Sequence, residues 1–215
     1  MRVALINDGS YPFRQTVAST WCHRIVRGLS DHRFDIVAVG GAAARVAAYA
    51  STSNTDALTV VAAVPPPRPR SRRTELARRR AATHAMVLLS RGMMSDSPLG
   101  RAMFRAGLRR LAALRDGRPP LDGVPAAGAL FDAWRAGDRA EATGDAAPDA
   151  TLARSALAEP NREDATRAAE IVVAALRAMA APPTAADLNH AVDADMSALV
   201  ALRDKWSAGT PFVIT

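Results

Sequence analysis

The sequence contains a single cysteine, Cys22, and a single lysine, Lys205, among 215 residues. One cysteine excludes an internal disulfide and any zinc site built on paired cysteines, and its rarity fits a reducing compartment. Aromatic residues make up only 5% of the chain, so the core has to be assembled from Ala, Val and Leu. Long apolar runs are also missing. Arg or Asp interrupts every Ala-rich stretch before it reaches the roughly 18 to 20 residues of a membrane span. The opening run from Arg2 to Asn7 is too short for the apolar region of a secretory signal, and no small-residue cleavage site follows it. The expectation is a cytoplasmic protein, at most peripheral to the inner face of a membrane.

What is abundant is arginine. The chain carries a net charge of +7. Fourteen arginines between Arg68 and Arg118 stand against Glu75, Asp96 and Asp116, which puts that stretch at +11 and the remainder at −4. With Lys205 the sole lysine, the excess reads either as the bias of a G+C-rich coding sequence or as a patch facing phosphates or lipid. The segment Arg68–Arg80 is the place for the second reading, as a peripheral membrane contact. No aromatic residues interleave with its charges, as a single-stranded nucleic-acid platform requires, so nucleic acid is not an expected partner.

Periodicity places a buried strand at Arg2 to Asn7, closed by the turn Asn7-Asp8-Gly9-Ser10. A helix follows over Thr16 to Leu29, with Val17, Trp21, Ile25 and Leu29 at i, i+4, i+8 and i+12, Cys22 and Val26 beside them, and Thr16 or Ser19 as cap. Phe34 to Val39 reads as a second strand ending at Gly40-Gly41, which makes residues 1–41 a β-α-β unit with parallel strands. A third strand over Leu58 to Val64 is stopped by Pro65-Pro66-Pro67 and Pro69.

From there to residue 181 the pattern is helical: Thr74 to about Arg91, Leu99 to Arg115, Ala126 to Ala136, and Glu163 to Ala181. In the second of these, Met103, Leu108, Leu111 and Leu114 share one side with Phe104, while Arg101, Arg105, Arg109 and Arg110 lie mostly on the other. Asp116 to Pro120 and Gly144 to Pro148 are turn clusters. The sheet pattern then resumes, with a strand over Asp187 to Val192, a helix over Asp195 to Trp206 and a strand over Pro211 to Thr215. The expected class is α/β, a Rossmann-like parallel sheet (1–64 and 185–215) interrupted by a mostly helical insertion (65–184).

Two blocks carry a resemblance. The first is Asp8-Gly9-Ser10-Tyr11-Pro12-Phe13, then Ser19-Thr20-Trp21-Cys22-His23, closed by Val26-Arg27-Gly28-Leu29. The second is Asp187-Leu188-Asn189-His190-Ala191 together with Lys205 to Thr215. In this order they resemble the N-terminal half of a GT-B-fold glycosyltransferase of family 4, in the group similar to the Pel exopolysaccharide enzyme, whose N-terminal domain has long been of unknown function. The match covers about a third of the chain; the middle agrees only in its helical character.

The resemblance implies transfer of a sugar from a nucleotide-sugar to a polysaccharide or glycoconjugate hydroxyl, with retention and without a required metal or cofactor. It also implies a cleft between two Rossmann-like domains, the first holding the acceptor and the second the nucleotide-sugar with paired glutamates. Because Thr215 closes the chain in an apolar strand, and two such domains need roughly twice this length at ~100 to 200 residues each, the nucleotide-sugar domain is expected to be absent. The sequence then reads as a truncated fragment, inactive by itself.

Open α/β sheets place ligands outside the carboxyl ends of their strands. The candidate cleft residues are therefore Gly9, Ser10, Tyr11, Pro12, Thr16, Val17 and His190. Gly9 supplies the tight turn, while Tyr11 and Phe13 either line a sugar or wedge the loop against the core. Where the resembling enzymes usually carry two consecutive glycines, this sequence has Thr16 and Val17, a β-branched pair that removes backbone freedom and space beside a donor phosphate. His190 resembles the acceptor-side histidine, although a lone histidine equally well caps a helix or satisfies a carbonyl. Asp193 and Asp195 are candidate caps, and Trp21 and Trp206 read as helix-to-sheet packing. His23, His32 and His84 have no partner at metal-ligand spacing, so no metal is expected. The alternative function is a non-catalytic α/β partner-binding domain that has kept the scaffold and lost the glycine loop.

Overall fold

The structure is a computed structural model that describes residues 1–40, 46–61, 71–114, 121, 124–142 and 161–215. Gly41, Ala62 to Val64, the prolines at 65–67 and 69, Arg68, Arg70, Arg115, the turn at 116–120 and that at 144–148 lie outside the described residues. Those described fall into two compact units: an α/β unit within Met1–Pro67 and Ala175–Thr215, and a helical unit within Arg68–Leu114 and Pro119–Ala174.

The α/β unit is a five-stranded, all-parallel sheet, mixed with helices in a Rossmann-like arrangement. Its elements are β1 (Arg2–Asn7), α1 (Val17–Gly28), β2 (Arg33–Val39), β3 (Thr55–Val61), β4 (Leu188–Ala191), a helix (Met196–Ala208) and β5 (Phe212–Ile214), in the spatial order β3-β2-β1-β4-β5. Leu5 of β1 lies in register with Ile36 of β2 and with His190 of β4.

Alternation along β1 divides the core. Val3 and Leu5 pack with Phe34, Ile36 and Val192 under Cys22 and Val26 of α1. Ala4 and Ile6 pack with Val37, Val39 and Ala191 under Ala198, Val200 and Ala201 of the Met196–Ala208 helix. Successive strand side chains point to opposite faces, so the two helices cover opposite sides. From β1 the chain crosses to β2 and β3, and from β4 to β5 in the other direction. The junction of β1 and β4 is therefore the topological switch point of the sheet.

Two expectations shift here. The buried face of α1 is centred on Ser19, Cys22 and Val26, so Trp21 and Ile25 are half-buried, Leu29 is exposed and Val17 is 91% exposed. A 3.6-residue turn carries an i, i+4 stripe around the helix, and only its central part stays over the strands. β3 begins at Thr55, three residues before the apolar run, because an edge strand needs only backbone pairing on one side; Arg33 forms an ion pair there with Asp56. At the other end of α1, buried Asn54 donates to the Val26 carbonyl at 2.8 Å and the Leu29 carbonyl at 3.2 Å, satisfying groups that a helix C-terminus otherwise leaves unpaired.

In the helical unit α2 (Arg72–Met93) buries Ala82, Ala85, Met86, Leu89 and Ser90, one stripe at helical spacing. α3 (Pro98–Ala112) starts on the Ser97 cap with Pro98 in its first turn and buries Gly100, Gly107, Leu108, Leu111 and Ala112. Arg101, Arg105, Arg109 and Arg110 face outward as expected, but Phe104 is exposed rather than on the packed side. The reason is that α3 meets α2 along its glycines, so the contact seam runs beside Phe104. α4 (Ala126–Ala142) and α5 (Arg162–Leu176) follow. The last predicted helix ends early, giving way to a 3-10 turn at Arg177–Ala180, and the Met196–Ala208 helix becomes α6.

Candidate functional site

The loop leaving β1 is organised by Asn7. Its buried side-chain oxygen accepts from the Gly9 amide at 2.9 Å and the Tyr11 amide at 3.2 Å. The Asp8 carboxylate accepts from the Ser10 amide at 3.0 Å. Gly9 has φ +82°, a conformation in which glycine carries no Cβ penalty, and the peptide from Tyr11 to Pro12 is cis. Gly9 and Ser10 are buried, Pro12 is half-buried, and the Ser10 carbonyl accepts from Phe13 at 2.8 Å and Arg14 at 2.7 Å.

Tyr11 is only 3% exposed and belongs to the core beneath α1. Its hydroxyl lies 3.4 Å from His23 Nδ1, and its ring centroid 5.5 Å from that of Tyr49. It wedges the loop against the core. Tyr49 completes this cluster, with its hydroxyl 3.1 Å from Ser19 Oγ and 2.9 Å from Thr20 Oγ1. Burial first, then the neighbouring Cys22 and Tyr49, pushes the Tyr11 phenol up to about 12. Burial, then Asp8, likewise pushes the Cys22 thiol up to about 12, so both groups stay protonated at neutral pH.

At the start of α1, Thr16 and Ser19 cap together: Thr16 Oγ1 accepts from the Ser19 amide at 3.1 Å, and Ser19 Oγ accepts from the Thr16 amide at 2.7 Å. This reciprocal capping box saturates two donors that a helix start would otherwise offer to an anion. Thr16 and Val17 instead open onto a groove of about 590 Å³, lined also by Gln15, Thr20, Trp21 and Arg24.

Trp21 joins this groove to the neighbouring strands. Its ring meets the His190 imidazole edge to face, centroids 5.4 Å apart at 87°, and His190 Nε2 lies 3.0 Å from Thr215 Oγ1. The next residue pairing across from His190 is Val213 of β5, itself exposed. Of the expected cleft residues, Thr16 and Val17 are thus together at the groove and His190 adjoins it through Trp21, whereas Gly9, Ser10, Tyr11 and Pro12 form the framework behind. Asp195 caps α6 by accepting from the Ser197 amide at 2.8 Å, and Asp193 takes a left-handed turn at φ +76°. Among the described residues there is no group of three or more His, Cys, Asp or Glu side chains placed to hold a metal ion, and no helix is long and apolar enough to cross a membrane.

Gln15 and Arg24 belong to no motif in the sequence, and Thr20 enters only within the resemblance block Ser19 to His23. The signal for Thr20 and Arg24 is the helical period, since Val17, Thr20, Trp21 and Arg24 are spaced at i, i+3, i+4 and i+7; Gln15 precedes α1 and carries no such signal. Of the Arg68–Arg80 segment, Arg72, Arg73, Arg79 and Arg80 are exposed in the first turns of α2, where Arg79 pairs with Glu75 at 3.5 Å.

Burial lowers the His190 pKa below its ordinary 6.5, and burial, then the charge on Arg27, lowers that of His23. The folded protein therefore resists protons that the unfolded chain takes up below pH ~6.5, and stability falls as the pH drops through that value. Urea midpoints measured between pH 7.5 and 5.5 are expected to decline, and the decline to be shallower in His190→Gln. A flat profile in the native chain would contradict this assignment.

Residues 1–124 match a family model described as Domain of unknown function (DUF3492). No curated protein and no solved structure matches the chain.

Proposed function

The chain belongs to this DUF3492 family, and from that premise we propose that it is the acceptor-side domain of a retaining glycosyltransferase of family 4, in the group similar to the Pel exopolysaccharide enzyme. The observation that carries the reading is the groove beside α1. It adjoins the switch point, where open parallel sheets bind ligands, and pairs an indole wall with amide, hydroxyl and guanidinium groups. That combination suits a sugar, which offers one apolar face and a rim of hydroxyls. The first block of family resemblance falls on α1, which lines the groove, and the second on β4, whose His190 meets Trp21.

In this reading a second Rossmann-like domain supplies the nucleotide-sugar and the chemistry, and this chain orients the acceptor. His190 is neutral at pH 7, because burial holds its pKa down, and so can accept a hydrogen bond from an acceptor hydroxyl now matched by Thr215. The exposed arginines that open α2 support contact of the same protein with an anionic surface.

One observation favours a second reading, a partner-binding domain without catalysis. The β-branched Thr16 and Val17 occupy the helix start where the resembling enzymes carry glycines, and the capping box engages the Thr16 and Ser19 amides that a phosphate would otherwise meet. NMR of the ¹⁵N-labelled chain separates the two. Under the first reading, oligosaccharides shift the resonances of Thr16, Trp21 and His190, while UDP- and GDP-hexoses are not turned over by this chain alone. Sugar transfer by the isolated chain, or silence toward every oligosaccharide tried, would sink it.

A further inference from the structure

Arg24 is the charged side chain that lines the groove beside α1. Residues 9–30 include Arg14, Arg24 and Arg27 but no Asp or Glu, and all three arginines are exposed. The positive end of the α1 dipole lies at the Thr16–Val17 end of the same groove. Among the described residues, neither the Arg24 guanidinium nor the Gln15 amide has a hydrogen-bond or ion-pair partner.

From this we infer that the groove takes an acidic sugar, with its carboxylate on Arg24 and the flat face of its ring on Trp21. This deepens the acceptor-domain reading and rests on it. The guanidinium presents a planar pair of N–H donors that matches a carboxylate in two parallel hydrogen bonds. The indole, held edge to face by His190, supplies an apolar wall for ring hydrogens, and Gln15 and Thr20 supply partners for hydroxyls. A compact phosphate fits less well. Two of the helix-start amides that would receive it, those of Thr16 and Ser19, are engaged in the capping box, and Thr16 and Val17 are exposed and β-branched.

The groove is also elongated. Thr16 and Arg24 are eight residues apart, ~12 Å along the helix at 1.5 Å each, and its volume of about 590 Å³ lies within the ~300 to 1,000 Å³ of small-ligand sites. A short run of linked sugar rings fills such a site better than one ring does. The inferred ligand is therefore an acidic glycan segment of at least two rings.

The test uses the whole 215-residue chain labelled with 5-fluorotryptophan, its Trp21 ¹⁹F resonance assigned through Trp21→Phe. Digalacturonate is titrated beside its methyl ester, which keeps the shape and removes the charge, with inorganic phosphate and UDP as competitors. Digalacturonate is expected to move the Trp21 resonance saturably and to bind roughly tenfold or more tightly than the ester. Arg24→Gln is expected to abolish that preference, whereas Arg27→Gln, which does not line this groove, leaves the affinity within about twofold. Equal binding of acid and ester, unaffected by Arg24→Gln, overturns the acidic-sugar inference while leaving the acceptor-domain reading standing. Competition by phosphate or UDP as effective as by digalacturonate overturns it in favour of a generic anion site. No response to any oligosaccharide, in a chain with unchanged circular dichroism, overturns both readings.

Discussion

Replacing Asp204 with alanine is expected to destabilise the α/β unit by about 3–5 kcal/mol, the range for removing one partner of a buried ion pair. The side chains of Arg203 and Asp204, adjacent on α6, are 8% and 1% exposed, and Arg203 Nε lies 2.8 Å from Asp204 Oδ1. The other carboxylate oxygen accepts from the Thr184 hydroxyl at 2.7 Å, the Thr184 amide at 3.2 Å and Asn189 Nδ2 at 3.2 Å. The guanidinium in turn donates to the carbonyls of Met179, Ala181 and Pro182. Alanine leaves a buried cation short of its counter-charge and strips partners from Thr184 and Asn189 together.

Urea denaturation followed by circular dichroism measures the loss. Asp204→Asn, which keeps an acceptor, is expected to lose less than alanine. A loss below about 1 kcal/mol for Asp204→Ala would mean that the network is exposed to water more often than its geometry implies. Because Asn189 directly precedes His190 on β4, the same variant is also expected to broaden the His190 resonance.

Gly92→Ala and Gly128→Ala should move stability in opposite directions, although both add one methyl group inside a helix. A Cβ on Gly92 would lie 2.5 Å from the Phe104 amide nitrogen and 2.7 Å from the Gly100 carbonyl oxygen, both backbone atoms that cannot turn away. Separating α2 from α3 to make room is expected to cost about 1–3 kcal/mol, as overpacking does. At Gly107 the same addition would meet the Ala85 carbonyl oxygen at 2.8 Å, so the seam is closed at both glycines. Among the described residues, a Cβ on Gly128 meets nothing within 4 Å, and alanine there is expected to stabilise α4 by roughly 0.5–1 kcal/mol through backbone entropy. Two destabilised variants, or two stabilised ones, would show that helix propensity and not the α2–α3 contact governs these positions.

The α/β class, the parallel sheet and most elements were legible because apolar alternation and helical spacing are local signals. β1 is a run of Val3 to Ile6 buried on both faces, which only a central parallel strand requires. Less legible was whatever depends on a second element. Val17 has the spacing of a core residue, but it extends past the strands that would cover it. Phe104 has the chemistry of a core residue, but the glycines beside it bring the facing helix to a different line. At the candidate site, the strand ends located the β1 loop and His190, yet Thr20 and Arg24 carry no signature beyond their helical spacing with Trp21, and Gln15, which precedes α1, carries none. Tyr49, far from the loop in sequence, went unmarked for the same reason.

The sequence by itself therefore determined the class of fold, the strand ends where a ligand can sit, the arginine excess and the β-branched pair at the start of α1. The tertiary structure alone decided that Tyr11 is a wedge and Trp21 a wall, that Arg24 opens into the groove, and that Arg203 and Asp204 are buried as a pair. The physical reason is that spacing along a chain specifies which side chains share a face. What that face meets is decided by packing between elements far apart in sequence, where one missing Cβ or one buried carboxylate selects the arrangement.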